Sequence, residues 1–135
     1  MTQAPTQGLA DTSVFIASES GRRLALDRVP DDLRVSVVTL AELEAGVLAA
    51  RTVSDRSARI RTLEKVASLE PLPVDAAAAA VWARLRVELH QAGRRVNVND
   101  LWIAAVAIAN DLPVVTQDDD FDVLAELGLL TVVRV

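Results

Sequence analysis

The chain has 135 residues, of which 51% are hydrophobic and 24% charged, so it can form one folded domain with an ordinary core. It contains no cysteine and a single histidine, His90, which excludes disulfides, thiolate metal sites and mechanisms that need two histidines. The net charge of −5 argues against nucleic-acid binding driven by overall charge, although a bound metal ion can supply local positive potential. No apolar run is long enough to suggest a membrane span, and the expected location is the cytoplasm.

Residues 1–7 predict a disordered lead-in, because they lack the basic and apolar regions of a secretory signal, and residues 8–135 predict one domain. The first predicted elements are a strand at 8–11, a helix at 12–26, a strand at 34–38 and a helix at 39–50. Thr39 and Glu42 have the spacing of a capping box at the start of this last helix. Ser54 predicts the cap of a further helix, whose inward-facing residues are expected to be Ile60, Leu63 and Ala67.

The second half of the chain continues the alternation of short apolar runs and helical patterns. Its predicted elements are an edge strand at 71–74, a helix at 76–91, a helix from Asn97 or Asn99 to 110, a strand at 113–116, a helix at 118–127 and a strand at 130–135. Asp75 predicts a plain N-cap, and Gly93 predicts the end of the helix that Asp75 begins. Helical crossovers between strands imply a mainly parallel sheet covered on both faces, which is a three-layer α/β/α sandwich.

Four acidic residues stand in apolar surroundings near predicted helix starts: Asp11, Glu42, Asp100 and Asp118. Because loops at the carboxyl ends of parallel strands gather on one rim, we expect these acids to converge. Two carboxylates ~4 Å apart repel by about 4 kcal/mol at an effective dielectric near ~20. Mg²⁺ or Mn²⁺, which both prefer oxygen ligands, would relieve that repulsion. The competing interpretation is that each acid is a helix cap, which fits Asp11 least, since Thr12 or Ser13 could cap the next helix instead.

Four short motifs follow one another at fixed spacing along nearly the whole chain. They are Asp11-Thr-Ser-Val-Phe-Ile, Val38-Thr-Leu-Ala-Glu-Leu-Glu-Ala-Gly46, Asn99-Asp-Leu-Trp-Ile-Ala-Ala and Val115-Thr-Gln-Asp-Asp-Asp-Phe121. In these motifs the chain resembles PIN-domain ribonucleases, most closely the VapC-like toxins of bacterial toxin–antitoxin systems. The resemblance implies a PIN-like fold and a Mg²⁺- or Mn²⁺-dependent endoribonuclease whose RNA products carry a 5′-phosphate and a 3′-hydroxyl. It further implies a VapB-like antitoxin partner and a homodimer, and it leaves open the RNA target and the choice between one and two metal ions.

The same resemblance assigns roles to individual residues. Asp11, Asp100 and Asp118 are implied as direct metal ligands, and Glu42 as a ligand through water or as the base. Supporting hydroxyl groups are implied at Thr12 or Ser13 and at Thr116. Asp120 competes with Asp118 as the fourth acid, because the run of three Asp residues leaves a one-residue ambiguity. The opening strand Gly8-Leu-Ala is shorter and less β-branched than the family pattern, which leaves its register open.

The Arg side chains near the rim are candidates for weak RNA binding. They are Arg22, Arg23, Arg94 and Arg95, each of which is at least as well explained as part of a solvated helix end. Gly46 interrupts a good helix and predicts close approach of another element, for which an antitoxin covering the helices from Thr39 and Ser54 is a candidate by the resemblance. Aromatic residues within apolar patterns predict core packing, and these are Trp82, Trp102 and Phe121.

A non-catalytic binding module of the same fold, acting through its partner surface, is the main alternative function. A receiver-like phospho-acceptor domain also clusters acids at a sheet rim, but it needs a Lys near the last strand, and Lys65 lies mid-chain. A phosphatase with an Asp-x-Asp nucleophile is disfavoured, because Thr12 and Ser13 follow Asp11.

Overall fold

A four-stranded parallel sheet lies at the centre of the computed structural model, which describes residues 5–135. The strands are β1 (Gln7–Ala10), β2 (Asp32–Arg34), β3 (Val114–Thr116) and β4 (Val132–Arg134), in the order β2-β1-β3-β4. Leu9 of β1 pairs with Arg34 on one side and with Val114 on the other, and Val114 pairs with Val132. All pairings are parallel, so the carboxyl ends of the strands share one rim.

Six α-helices occur within residues 5–135: α1 (Thr12–Glu19), α2 (Val37–Leu48), α3 (Val53–Ala67), α4 (Ala76–Ala92), α5 (Val98–Ala109) and α6 (Asp122–Glu126). A single 3-10 turn, Leu26–Arg28, lies between α1 and β2. None of these helices has the length and apolar character needed to cross a membrane. The described chain therefore consists of short strands joined by helical connections.

The helices cover both faces of the sheet because successive strand residues point to opposite sides. Leu9 and Val114 belong to a core cluster formed with α4, α5 and α6, whereas their neighbours Ala10 and Val115 belong to a second cluster formed with α1, α2 and α3. Phe121 is fully buried in the first cluster, as predicted. The predicted three-layer α/β/α sandwich with a parallel sheet is confirmed.

The boundary between β2 and α2 differs from the prediction. β2 ends at Arg34, and α2 already begins at Val37, where the sequence predicts a strand as far as Val38. The Ser36 side chain caps α2 by accepting a hydrogen bond from the Thr39 amide. The predicted capping box at Thr39 is therefore wrong, because the helix starts a full turn earlier.

The predicted strand at 71–74 is also wrong. Leu72 forms only an isolated parallel bridge with Ser36, donating its amide to the Val35 carbonyl and accepting from the Val37 amide. Pro71 and Pro73 have no N–H to extend the ladder, so the segment contacts the β2 edge at one residue instead of forming a fifth strand.

Two helices end or begin away from the predicted positions. α1 stops at Glu19 rather than Leu26, and Gly21 then adopts a left-handed conformation with φ of 74° that a helix cannot continue through. α6 begins at Asp122, so the run from Asp118 to Asp120 lies in a loop. The acids of this loop are therefore not part of a helix.

The start of α3 and its buried face were predicted imprecisely. Thr52, not Ser54, is the cap, since its side chain accepts from the Asp55 amide. Val66 is the fully buried residue of this helix, while Ile60 is 37% exposed and Ala67 is exposed. Leu63 packs against the core as predicted. By contrast, Asp75 caps α4, Gly93 ends it with φ of 65°, and Asn97 caps α5, all as predicted.

The register of the short first strand pairs Gly8 with Leu33 and places Gly8 in a crowded position. A Cβ atom at this position would lie 2.6 Å from the Val115 side chain and 3.0 Å from that of Pro30. The absence of a side chain therefore lets β1 pack closely between its neighbours. The strand begins at Gln7, one residue before the predicted domain start, and residues 1–4 of the predicted lead-in lie outside the described part of the chain.

Candidate active site

The four acids lie on the rim formed by the carboxyl ends of the strands and the adjoining helix starts. Asp11 directly follows β1, and Asp118 follows β3 by two residues. Asp100 is the third residue of α5, and Glu42 lies in the second turn of α2. Asp11 is 4% exposed, and the other three are partly buried. Sequence segments that are far apart thus bring their acids to one rim of the sheet.

None of the four acids serves as a side-chain helix cap. Asp11 occupies the N-cap position of α1 but makes no capping hydrogen bond. Asn97 caps α5 instead of Asp100, Ser36 caps α2 instead of Glu42, and Asp118 lies before the start of α6. Asp75 provides the contrast, because its carboxylate accepts from the Ala78 amide as an ordinary cap does. The capping interpretation therefore fails for these four residues.

Hydroxyl groups hold the Asp11 carboxylate. Its Oδ2 atom accepts a hydrogen bond from Ser13 at 2.7 Å and one from the Thr116 hydroxyl at 2.8 Å. The Thr116 hydroxyl also lies 3.1 Å from Oδ1 of Asp118, to which it can donate instead. Ser13 in turn accepts from the Gln117 amide at 3.0 Å. This network ties the end of β1 to the loop after β3.

A second hydroxyl pair holds Glu42. Thr12 donates to Oε1 of Glu42 at 2.6 Å, and its oxygen lies 3.0 Å from the hydroxyl oxygen of Thr39. Thr39 is fully buried and was not predicted as part of the site. Its spacing of three residues from Glu42 places both on one side of α2, but this spacing alone does not show that Thr39 contacts Thr12.

Burial, reinforced by the charges of neighbouring acids, raises the pKa of Asp100 and of Asp11. Burial raises the pKa of Asp100 from 3.8 to about 7, and the charges of Asp11, Asp120, Glu42 and Asp118 add to the increase. Burial also raises the pKa of Asp11, although hydrogen bonds from Ser13 and Thr116 oppose this effect and the charge of Asp118 reinforces it. The site therefore has an excess of negative charge that the hydroxyl groups only partly offset.

The donor set fits a divalent cation in charge and in chemistry. All donors are carboxylate or hydroxyl oxygens, which Mg²⁺ and Mn²⁺ prefer. Within residues 5–135 the salt bridges join Arg94 to Glu126 and Arg134 to Asp122, so no basic side chain neutralises the four acids. As they stand, no three acidic or histidine side chains in this part of the chain converge closely enough to hold one ion together. A shared ion therefore requires rotation of one or more carboxylates.

Both Asp118 and Asp120 contribute to the electrostatics of the rim. Asp118 is partly buried and linked through Thr116 to Asp11, whereas Asp120 is exposed. Asp120 nevertheless raises the pKa of Asp100 more than Asp118 does. The two residues thus approach different members of the acidic group.

The Arg candidates fall into two separate groups. Arg22 and Arg23 are exposed after α1, and the Arg23 carbonyl accepts from the Gln117 side chain. Arg94 and Arg95 follow α4 and line a cavity of about 650 Å³ beside the start of α5. Trp82 and Trp102 stack with their ring centroids 4.7 Å apart and pack against the core, as predicted.

Comparison with known proteins agrees with this fold. The model of the PIN domain family matches residues 9–127, and the chain belongs to this family. It is 56% identical to "Ribonuclease VapC5" of Mycobacterium tuberculosis over 135 residues, which are 100% of both chains. It is 40% identical to "Ribonuclease VapC4" of the same organism over 127 residues, covering 93% of this chain and 97% of that relative.

A solved structure also matches this chain. The crystal structure of VapBC-5, a member of the VapBC family of toxin-antitoxin systems from Mycobacterium tuberculosis, contains a chain that matches with a TM-score of 0.89 and 53% identity. The match covers 97% of this chain and 100% of that chain. The resemblance to VapC-like PIN domains that the sequence motifs indicate is thereby confirmed.

Proposed function

We propose that the chain is an endoribonuclease toxin that hydrolyses RNA phosphodiester bonds with the help of a divalent cation, Mg²⁺ or Mn²⁺. This proposal rests on one observation. Four acids that do not cap helices lie on one rim of the sheet, and no basic side chain pairs with them. The names of the ribonuclease relatives agree with the reaction. A cytoplasmic location follows as part of the proposal, because that compartment contains the RNA on which such an enzyme acts.

Asp11, Asp100 and Asp118 are proposed to bind the cation, and Glu42 to bind it through water or to accept a proton from the attacking water. When bound, the cation activates that water and neutralises negative charge on the phosphate. Thr12 holds Oε1 of Glu42, which orients the carboxylate for proton transfer. The products are proposed to carry a 5′-phosphate and a 3′-hydroxyl.

The supporting hydroxyl groups are proposed to fix the first carboxylate before the substrate arrives. Ser13 and Thr116 both donate to Oδ2 of Asp11, which leaves its Oδ1 atom for the cation. Asp118 is proposed as the fourth acid, with Asp120 as the competing residue. Comparing Asp118→Asn with Asp120→Asn in an RNA cleavage assay would identify the fourth acid as the one whose replacement lowers kcat more.

A VapB-like antitoxin is the proposed inhibitory partner, as the VapBC-5 structure is of a toxin-antitoxin system. The turn between α2 and α3 supports a partner surface there, because Leu48 is 76% exposed and Val53 is 84% exposed. A Cβ placed on Gly46 would meet nothing within 4 Å in the described chain, but Arg59 of α3 donates a hydrogen bond to the Gly46 carbonyl at 2.6 Å, so another element approaches this residue through its backbone. A homodimer is also proposed, and light scattering of the isolated chain would test it.

The decisive experiment measures cleavage of RNA by the purified chain in Mg²⁺ or Mn²⁺, with EDTA and Asp100→Asn as the inactivating conditions. Asp55→Asn is the matched control, because Asp55 is the third residue of α3 as Asp100 is of α5. We expect cleavage by the wild type and by Asp55→Asn only, and only with the cation. Cleavage that persists in EDTA would remove the cation from the mechanism, and a folded wild type that cleaves no RNA would favour the non-catalytic binding module.

A further inference from the structure

A cavity beside the acidic rim combines positive charge with an apolar wall. It has a volume of about 650 Å³ and lies between the end of α4 and the start of α5. Four basic side chains line it, namely Arg86, His90, Arg94 and Arg95, and its lining within the described residues includes no acid. This is a local reversal of charge on a chain whose net charge is −5.

The wall of the cavity exposes apolar side chains to solvent. Val87 and Val98 are 56% and 55% exposed, and both line the cavity. Exposed apolar side chains next to Arg provide one surface for the flat face of a nucleobase and another for its phosphate. The volume also falls in the range of about 300–1,000 Å³ that is usual for pockets that hold small ligands, which suits a nucleotide.

The cavity and the candidate active site share the first turn of α5. Val98 and Leu101 line the cavity, and Asp100 lies in the same turn on a different side of the helix. An RNA strand that passes around the start of this helix would contact both. The cavity is therefore in position to bind the same RNA strand.

The Arg side chains differ in how free they are to bind phosphate. Arg86 lies over the Trp82 ring, with its guanidinium carbon 5.3 Å from the ring centroid, which limits the orientations it can adopt. Arg94 forms a salt bridge of 3.1 Å with Glu126, which offsets part of its charge. Arg86 and Arg95 consequently provide the clearest test of phosphate binding.

We propose that this cavity binds the nucleotide next to the scissile phosphate of single-stranded RNA, with the base against Val87 and Val98 and the phosphate between Arg86 and Arg95. The inference rests on the proposed ribonuclease function and adds to it a subsite that positions the substrate. Arg86 and Arg95 act in binding, so their removal should raise KM for RNA and leave kcat nearly unchanged.

The test compares Arg86→Gln and Arg95→Gln with Arg84→Gln. Arg84 is the matched control, since it is an exposed Arg of the same helix that does not line the cavity. Fluorescence anisotropy with labelled RNA of random sequence, in EDTA, should show binding weakened about 3–10-fold by each cavity variant, and a slope against log salt reduced by about 1. Arg84→Gln should change the Kd less than about 2-fold. KM for RNA should follow the same order.

Hydrolysis of a small phosphodiester, bis(p-nitrophenyl) phosphate, separates the subsite from the catalytic acids. Arg84→Gln should hydrolyse it with Mn²⁺ as fast as the wild type does, and the cavity variants should lose less activity on it than on RNA. If the wild type cleaves RNA but both cavity variants bind it as Arg84→Gln does, the subsite is refuted while the ribonuclease stands. If these variants instead lose affinity only for the antitoxin, the cavity is a protein interface and the proposal is overturned. If the wild type hydrolyses neither substrate, the proposed function fails, and anisotropy alone decides whether the cavity binds RNA.

Discussion

Replacing Asp100 with Asn should stabilise the metal-free protein at neutral and alkaline pH. Burial and four acidic neighbours raise the pKa of Asp100 from 3.8 to about 7 in the folded chain. The folded state then holds this proton more tightly than the unfolded state, so stability falls as the pH rises from about 4 to about 7. Asn carries no charge in this range and avoids the penalty, so the gain from the substitution should grow with pH.

The magnitude follows from the two pKa values. At ~1.4 kcal/mol per pH unit, the full difference corresponds to about 4 kcal/mol above pH ~7. The Asp100 side chain is only half-buried, and screening by solvent reduces the expected penalty to about 1–2 kcal/mol. In a domain of this size, removing it should raise Tm by about 3–8 °C.

Thermal unfolding in EDTA, followed by circular dichroism at pH 5, 6.5 and 8, measures this gain. Asp55→Asn is the control for the loss of a carboxylate in the first turn of a helix, which should cost about 0.5 kcal/mol. The two substitutions should therefore shift Tm in opposite directions at pH 8. A decrease of Tm in Asp100→Asn at pH 8, or a gain that is the same at pH 5 and pH 8, would refute the electrostatic reasoning.

Mg²⁺ at about 100 times its Kd should stabilise the Asp55→Asn chain by about 2.7 kcal/mol and the Asp100→Asn chain much less. A thermal-shift titration measures this difference, and equal shifts would count against Asp100 as a metal ligand. Thr116→Val should lower the free energy of unfolding by about 1–3 kcal/mol, because the buried carboxylate loses a donor. Thr131 is exposed, and Thr131→Val should change the free energy of unfolding by less than about 0.5 kcal/mol. Equal losses for the two variants in urea titrations would contradict the role of the Thr116 hydroxyl. Gly8→Ala should destabilise the chain by about 1–3 kcal/mol through its clash with Val115, while Gly46→Ala should stabilise the isolated chain by about 1 kcal/mol. If urea titrations find Gly8→Ala more stable than Gly46→Ala, the packing argument is disproved.

The parallel sheet and the convergence of the acids are predictable from the sequence for one physical reason. Short apolar runs separated by helical patterns leave a parallel sheet as the arrangement that buries both faces, and a parallel sheet brings its carboxyl ends together. The position of Asp11 after β1 and of Asp118 after β3 then follows from the strand assignments alone. Glu42, after the predicted strand at 34–38, and Asp100, at the start of a predicted helix, are expected on the same rim, and the motif resemblance adds the roles of the four acids.

Local propensity fails where the surrounding structure decides the conformation. Val37 and Val38 favour a strand, yet both are helical. Ser36 caps the helix, and the Leu72 backbone forms hydrogen bonds with the Val35 carbonyl and the Val37 amide. The hydroxyl network escapes prediction for a related reason. Whether Thr39 contacts Thr12 depends on the packing of α2 against α1, which no short sequence pattern specifies.

The acidic rim does not contribute to stability in the way that ordinary helix caps do. Ordinary caps would place each carboxylate against backbone amides, as Asp75 does. Asp11 and Asp100 make no such capping hydrogen bond, and burial raises the pKa of both, with a further contribution from Asp118 for Asp11 and from Asp11, Asp120, Glu42 and Asp118 for Asp100. A chain that needed only stability would lose nothing by replacing Asp100 with Asn, which is neutral and tolerated in a first helical turn. Retaining the charge makes physical sense if a cation binds there, because the same repulsion that destabilises the metal-free rim then increases the affinity for the ion.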